Sequence, residues 1–109
     1  MISLEEAAQG FAAVGSEPRL EVLLCLIRAG EPGLYFADIQ ERTGVPASTL
    51  SHHLRFLAAA GLVTQERQGR QTLSTPNFEQ LAGLSEFLLS QCCADQSSVN
   101  DTLNQGEQA

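Results

Sequence analysis

Two groups of residues in this 109-residue chain have types and spacings suited to chemistry. One is a pair of adjacent thiols, Cys92 and Cys93. The other is a run of short hydroxyls, imidazoles and a guanidinium between Ser48 and Arg55. Soft thiolates select thiophilic acceptors. Ligand number argues against zinc, which takes four N, S or O donors in tetrahedral array; the stretch before the pair adds only Glu79 and Glu86, and no His. A disulfide between the neighbours is poorly set up, since a trans peptide holds consecutive Cα atoms about 3.8 Å apart and disulfides usually span about 4.4–6.8 Å. The hydroxyl and imidazole run suits other work. At helical spacing Ser48, His52 and Arg55 share one side, with Thr49 and Ser51 on its shoulders. A helix docked in a DNA groove needs that mixture: short hydroxyls for phosphates and longer donors for base edges. A polar solvated face would have the same composition, and the flanking elements weigh towards DNA.

Those elements follow from pattern. Pro46 to Ala60 reads as a helix with Leu50, Leu54 and Leu57 on its apolar side, flanked by Ala47 and Ala58. Gly61 stops it. Residues 62–67 form a strand, Gln68 and Gly69 a tight turn, and residues 70–74 the returning strand before Pro76. Arg67 and Arg70 straddle that turn. Helix, strand, tight turn and strand is the order of a recognition helix followed by a wing. His53 lies about 60° from the leucine stripe and is expected to be a hydrogen-bonded histidine at the core edge.

Upstream, residues 2–14 give a helix with Leu4, Ala7, Ala8, Phe11 and Val14 on one face. Ser16 caps the next helix, whose run from Leu20 to Ala29 is apolar nearly all round and therefore central; Cys25 within it reads as a small buried hydrophobe. Gly30 to Gly33 is a turn. Residues 34–42 hold a short helix with Ile39 inward and Asp38 and Glu41 outward, and Gly44 makes the corner of a helix-turn-helix. Asn77 opens the last helix, where Phe78, Leu81, Leu84, Ser85, Leu88, Leu89 and Cys92 form one wide face and Phe87 lies off it. The expected fold is mainly α with a small β wing, ordered α-α-α-α-β-β-α, over residues 1–93. Residues 94–109 read as a polar, disordered tail.

The net charge of −7 looks unfavourable for a DNA binder, because phosphate contacts supply most non-specific affinity. Its distribution matters more. Residues 38–78 set Arg42, Arg55, Arg67 and Arg70 against Asp38, Glu41 and Glu66, a balance of +1, while the remainder carries −8. All six basic residues are arginine, which suits bidentate contacts over a diffuse basic coat. Three cysteines, two of them adjacent, do not make a disulfide framework. With no signal peptide or apolar run of membrane-spanning length, a cytoplasmic protein is expected, with no membrane partner.

Residues 11–75 resemble the ArsR/SmtB family of bacterial metalloregulatory repressors. The resemblance lies in Phe11 to Leu20 (FAAVGSEPRL), Ser48 to Leu54 (STLSHHL), Ala60 to Val63 (AGLV) and Arg67 to Arg70 (RQGR). It implies a symmetric homodimer, joined through its first and last helices, that sits on a double-stranded DNA operator and leaves it when an inducer binds. The helix before the recognition helix, starting Leu34-Tyr35-Phe36, lacks the cysteine pair of the cadmium and arsenite members, and the last helix lacks the Asp/His set of the zinc members. What matches is a subgroup with adjacent cysteines at the end of the last helix. That implies trivalent arsenic or antimony species as inducer at Cys92 and Cys93, with no resident cofactor. Inorganic arsenite exchanges three ligands and a monomethyl arsenical two, so a two-thiol site favours the methylated form.

Three alternatives stay open: structural cysteines, a thiol redox or persulfide-sensing repressor, and a winged-helix protein-interaction module. An enzyme is not expected, since there is no phosphate loop or paired-carboxylate site and both histidines lie on the recognition helix.

Overall fold

The structure, a computed structural model, describes residues 1–96. The tail expected over 94–109 therefore lies almost wholly outside the described residues. The chain runs α1 (Leu4–Val14), α2 (Glu17–Ala29), β1 (Leu34–Tyr35), α3 (Phe36–Thr43), α4 (Ala47–Ala59), β2 (Val63–Gln68), β3 (Gln71–Pro76) and α5 (Phe78–Ser90). The winged helix-turn-helix is as expected from the pattern. The two-residue strand β1 is not: residues 34 and 35 were expected to begin a helix. Leu34 instead pairs with Ser74 and Tyr35 with Leu73, giving an antiparallel sheet of order β1-β3-β2. Two residues are too short to show an alternation, so only their tertiary pairing makes them a strand.

Local signals set most boundaries. Ser3 and Glu6 close a reciprocal capping box at the start of α1, Ser16 caps α2 and Asn77 caps α5. Thr43 donates to Ile39 O at 2.8 Å and its hydroxyl accepts from Val45 N. Gly44, left-handed at φ 74°, then turns the chain from α3 into α4. Gln68 pairs with Gln71, so the wing tip is a two-residue loop of Gly69 and Arg70, one position later than the sequence suggested.

The core joins Val22 and Leu26 of α2, Ile39 of α3, Leu50, Leu54 and Leu57 of α4, and Leu62, all essentially inaccessible. Cys25 is buried beside them, as expected. The apolar faces expected for α1 and α5 are each split. On α1 the inward set is Ala7, Gly10 and Ala13, with Leu4 and Ala8 exposed. Gly10 is required by close approach, since a Cβ there would lie 2.8 Å from Leu84 of α5. On α5, Leu84 is buried and Leu81 and Phe87 pack on the core, so Phe87 belongs to the inner face. Phe78, Leu88 and Leu89 face out, at 39%, 59% and 70% exposure. After Ser90 the chain continues in turns through Asp95.

Candidate nucleic-acid interface and thiol pair

Helix α4 buries its leucine side, which fixes the rotation of the remaining positions. Ser48, Thr49, Ser51, His52 and Arg55 are all exposed, together on the outward side. Pro46 precedes the helix without a side-chain cap, so among the described residues the first backbone N–H groups, next to Ser48 and Thr49, are left uncapped. Such an end, positive through the helix dipole, receives phosphate oxygens readily. Arg67 and Arg70 are exposed on the wing, and Arg67 Nε donates to Gly69 O at 3.0 Å, holding the tip. Ser51 and Arg70 line one cleft of about 420 Å³ together with Tyr35 and Phe36. The fold thus brings wing and recognition helix to a common surface.

Sequence reasoning missed Tyr35. Its hydroxyl donates to Gln68 Oε1 at 2.8 Å, bracing the outer wing strand from β1 across β3. A tyrosine just ahead of a helix carries no signal for that contact.

His52 stacks edge-on against Phe56, with ring centroids 4.8 Å apart. His53 is buried at the core edge, but its Nδ1 has no hydrogen-bond partner among the described residues, which corrects the expected hydrogen-bonded state. Burial first, then the charges of Arg19 and His52, push its pKa below the ordinary 6.5. The folded state therefore prefers neutral His53. Its contribution to stability is complete above the ordinary value and is lost as pH falls through the depressed one. Thermal melts between about pH 7 and pH 5 should fall more steeply for the parent than for His53→Asn, whose pH slope should be flatter.

The cysteine pair sits just past α5. Cys92 is exposed and Cys93 half-buried, with their sulfurs 3.6 Å apart. Inside a helix, neighbours would diverge by about 100°. Here the helix has ended, Cys93 adopts φ 57°, and both sulfurs reach one side. The Cys92 side-chain hydrogen bond, followed by partial burial and the Cys92 charge, raises the Cys93 pKa, so ligation there displaces a proton. Among the described residues no cluster of three or more His, Cys, Asp or Glu could hold a metal ion. No helix among them is long and apolar enough to cross a membrane.

A helix-turn-helix domain family matches residues 14–66. The arsenical resistance operon repressor of Bacillus subtilis is 35% identical, over 83% of this chain and 82% of its own length. Among solved structures, an ArsR-like transcriptional regulator from Rhodococcus sp. RHA1 superposes with a TM-score of 0.74 at 25% identity, covering 96% of each chain. The homodimeric winged helix-turn-helix DNA-binding domain of Mb0332 from Mycobacterium bovis gives a TM-score of 0.64 at 31% identity, over 85% of this chain and 82% of that one.

Proposed function

Because the chain belongs to the ArsR family of winged-helix transcriptional regulators, we propose that it is a homodimeric repressor released from operator DNA by a trivalent arsenical or antimonial bound at Cys92 and Cys93. It is a DNA-binding regulator and not an enzyme. The observation that carries the inducer reading is the 3.6 Å separation of two sulfurs on an accessible turn. One thiophilic atom between them can bond both. The relative from Bacillus subtilis, an arsenical resistance repressor, supports the same class of inducer. With two thiols at the site and Cys25 buried elsewhere, a monomethyl arsenical, which exchanges two ligands, is favoured over arsenite, which exchanges three.

In this reading Ser48, Thr49, Ser51, His52 and Arg55 meet the major groove, and Arg67 and Arg70 hold the backbone or minor groove. Arg55→Ala should cost about 1–3 kcal/mol of operator binding and relax the sequence preference. Arg70→Ala should weaken all sequences alike and flatten the slope of log affinity against log salt by about 0.9 per lost phosphate contact. Fluorescence anisotropy on operator and scrambled duplexes across a salt series measures both. Full activity of both variants would place the reading head elsewhere.

The deciding experiment titrates the reduced protein, bound to DNA from its own upstream region, with arsenite, methylarsenite, antimonite, zinc and peroxide. Methylarsenite should release DNA at the lowest concentration and zinc should not release it. Release by peroxide alone would transfer the function to redox sensing. Absence of salt-dependent, sequence-selective DNA binding would leave a protein-interaction module.

A further inference from the structure

Two buried side-chain polar atoms have no hydrogen-bond partner among the described residues: Arg19 Nε and His53 Nδ1. Arg19 reaches from the start of α2 towards α1 and α4. Its Nη1 donates to Ala13 O at 2.9 Å, and its guanidinium lies over the Phe56 ring, 4.5 Å from the centroid. That one hydrogen bond is all the side chain makes within the described residues, although a guanidinium carries five donors. The opposite edge, Nε with Nη2, is unused. Two parallel N–H groups on such an edge match the two oxygens of a carboxylate.

The same arginine lines a cleft of about 350 Å³, walled by Gln9 and Ala12 of α1 and by Phe56, Ala59 and Ala60 of α4. That volume lies within the usual range for small-molecule sites, which are mostly apolar with few polar groups. No carboxylate stands on these walls, so Arg19 lines the cleft without a counter-charge from them. We infer that this cleft binds a small organic monocarboxylate with an apolar body, its carboxylate paired with the Arg19 guanidinium and its body against Ala12, Phe56 and Ala59. One cation with alanine and phenylalanine around it selects one negative charge. A second anionic group would be buried against apolar walls without a partner, which is costly.

The position also gives such a ligand a route to the reading head. Arg19 stacks on Phe56, and Phe56 contacts the His52 ring edge-on. A carboxylate that draws the guanidinium to itself therefore acts on the ring column that ends at His52. This consequence rests on the DNA-reading role proposed for α4, whereas occupancy of the cleft does not. Neither cysteine of the proposed inducer site lines it.

The test is an NMR titration of the full-length protein, without DNA, using sodium benzoate and sodium hexanoate, with benzamide and benzylamine as neutral and cationic controls. Both carboxylates should bind saturably and shift amides of α1, α2 and α4 and the His52 imidazole, while the controls should not. Arg19→Gln should weaken benzoate at least tenfold. Arg19→Lys, which keeps the charge but loses the fork, should also weaken it. Ala12→Leu, a change at an exposed position, should block binding by filling the cleft with the fold intact by circular dichroism. Benzamide binding as well as benzoate, or unchanged affinity in a folded Arg19→Gln or Ala12→Leu variant, would overturn the assignment. So would the absence of saturable carboxylate binding, the result expected if a second copy of the chain covers the cleft. Loss of DNA binding, measured separately, bears only on the regulator reading.

Discussion

Replacing Cys92 or Cys93 by serine is expected to leave operator affinity within about twofold of the parent and to abolish release by methylarsenite. The affinity should hold because both residues lie past the end of α5, outside the recognition helix and the wing. Release should fail because serine offers a hard oxygen where a soft acceptor needs sulfur, and one remaining thiol cannot chelate. Under the proposed mechanism, inducer and DNA should oppose each other through a coupling free energy of about 1–3 kcal/mol, a 5–150-fold change in affinity that should vanish in either variant. Cys25→Ser should respond like the parent, with a small loss of stability from its buried site. Anisotropy titrations of all three variants with methylarsenite under reducing conditions provide the comparison. Normal release by the Cys92 and Cys93 variants, with failure of Cys25→Ser, would move the site into α2.

The thiol pair shows what the sequence could and could not reveal. Two adjacent cysteines are visible in any reading, but their convergence depends on where α5 stops and on the left-handed backbone at Cys93. Neither has a strong local signal, since residues 91–93 contain no glycine or proline. The α4 face was legible because three leucines at helical spacing fix its rotation, and every other position follows. Strand β1 and the Tyr35–Gln68 brace were not, because they depend on residues more than 30 positions apart. For α1 and α5 the pattern identified apolar residues but not their destinations. One stripe on each helix concealed two settings: Ala7 and Leu84 turn into the protomer's own core, whereas Leu4, Leu88 and Leu89 stay exposed on it.

That division sets the second expectation. Leu89→Asp should convert a dimer into a monomer that remains folded, because Leu89 is 70% exposed in the protomer. Leu81 is a poor target for the same experiment, since it packs on the core and a charge there would unfold the chain. A leucine fully buried at an interface contributes about 1.5–3 kcal/mol, and an aspartate in its place adds a desolvation cost in each protomer. Separating two linked reading heads typically forfeits roughly 10²–10⁴-fold in affinity, so operator binding by Leu89→Asp should fall on that scale. Sedimentation or light scattering at micromolar concentration, beside anisotropy, measures both effects. A parent that is a stable monomer would remove the basis for the expectation, as would a Leu89→Asp protein that stays dimeric.

Apart from the half-buried Cys93, the turn from Gln91 to Asp95 is exposed. Substitutions at exposed sites of this kind usually change stability by no more than about 0.5 kcal/mol. Selection can therefore explore this segment without risking the fold, in a way that is closed to Leu50 or Ile39 in the core. Under the proposed mechanism, a thiol added, lost or moved by one residue would change what the protein senses while its reading head stayed as it is. Descendants of such a chain can diverge in the stimulus they answer long before they diverge in shape. A library randomised at residues 91–95 should accordingly yield folded, DNA-binding proteins at high frequency, and responders to different soft electrophiles among them.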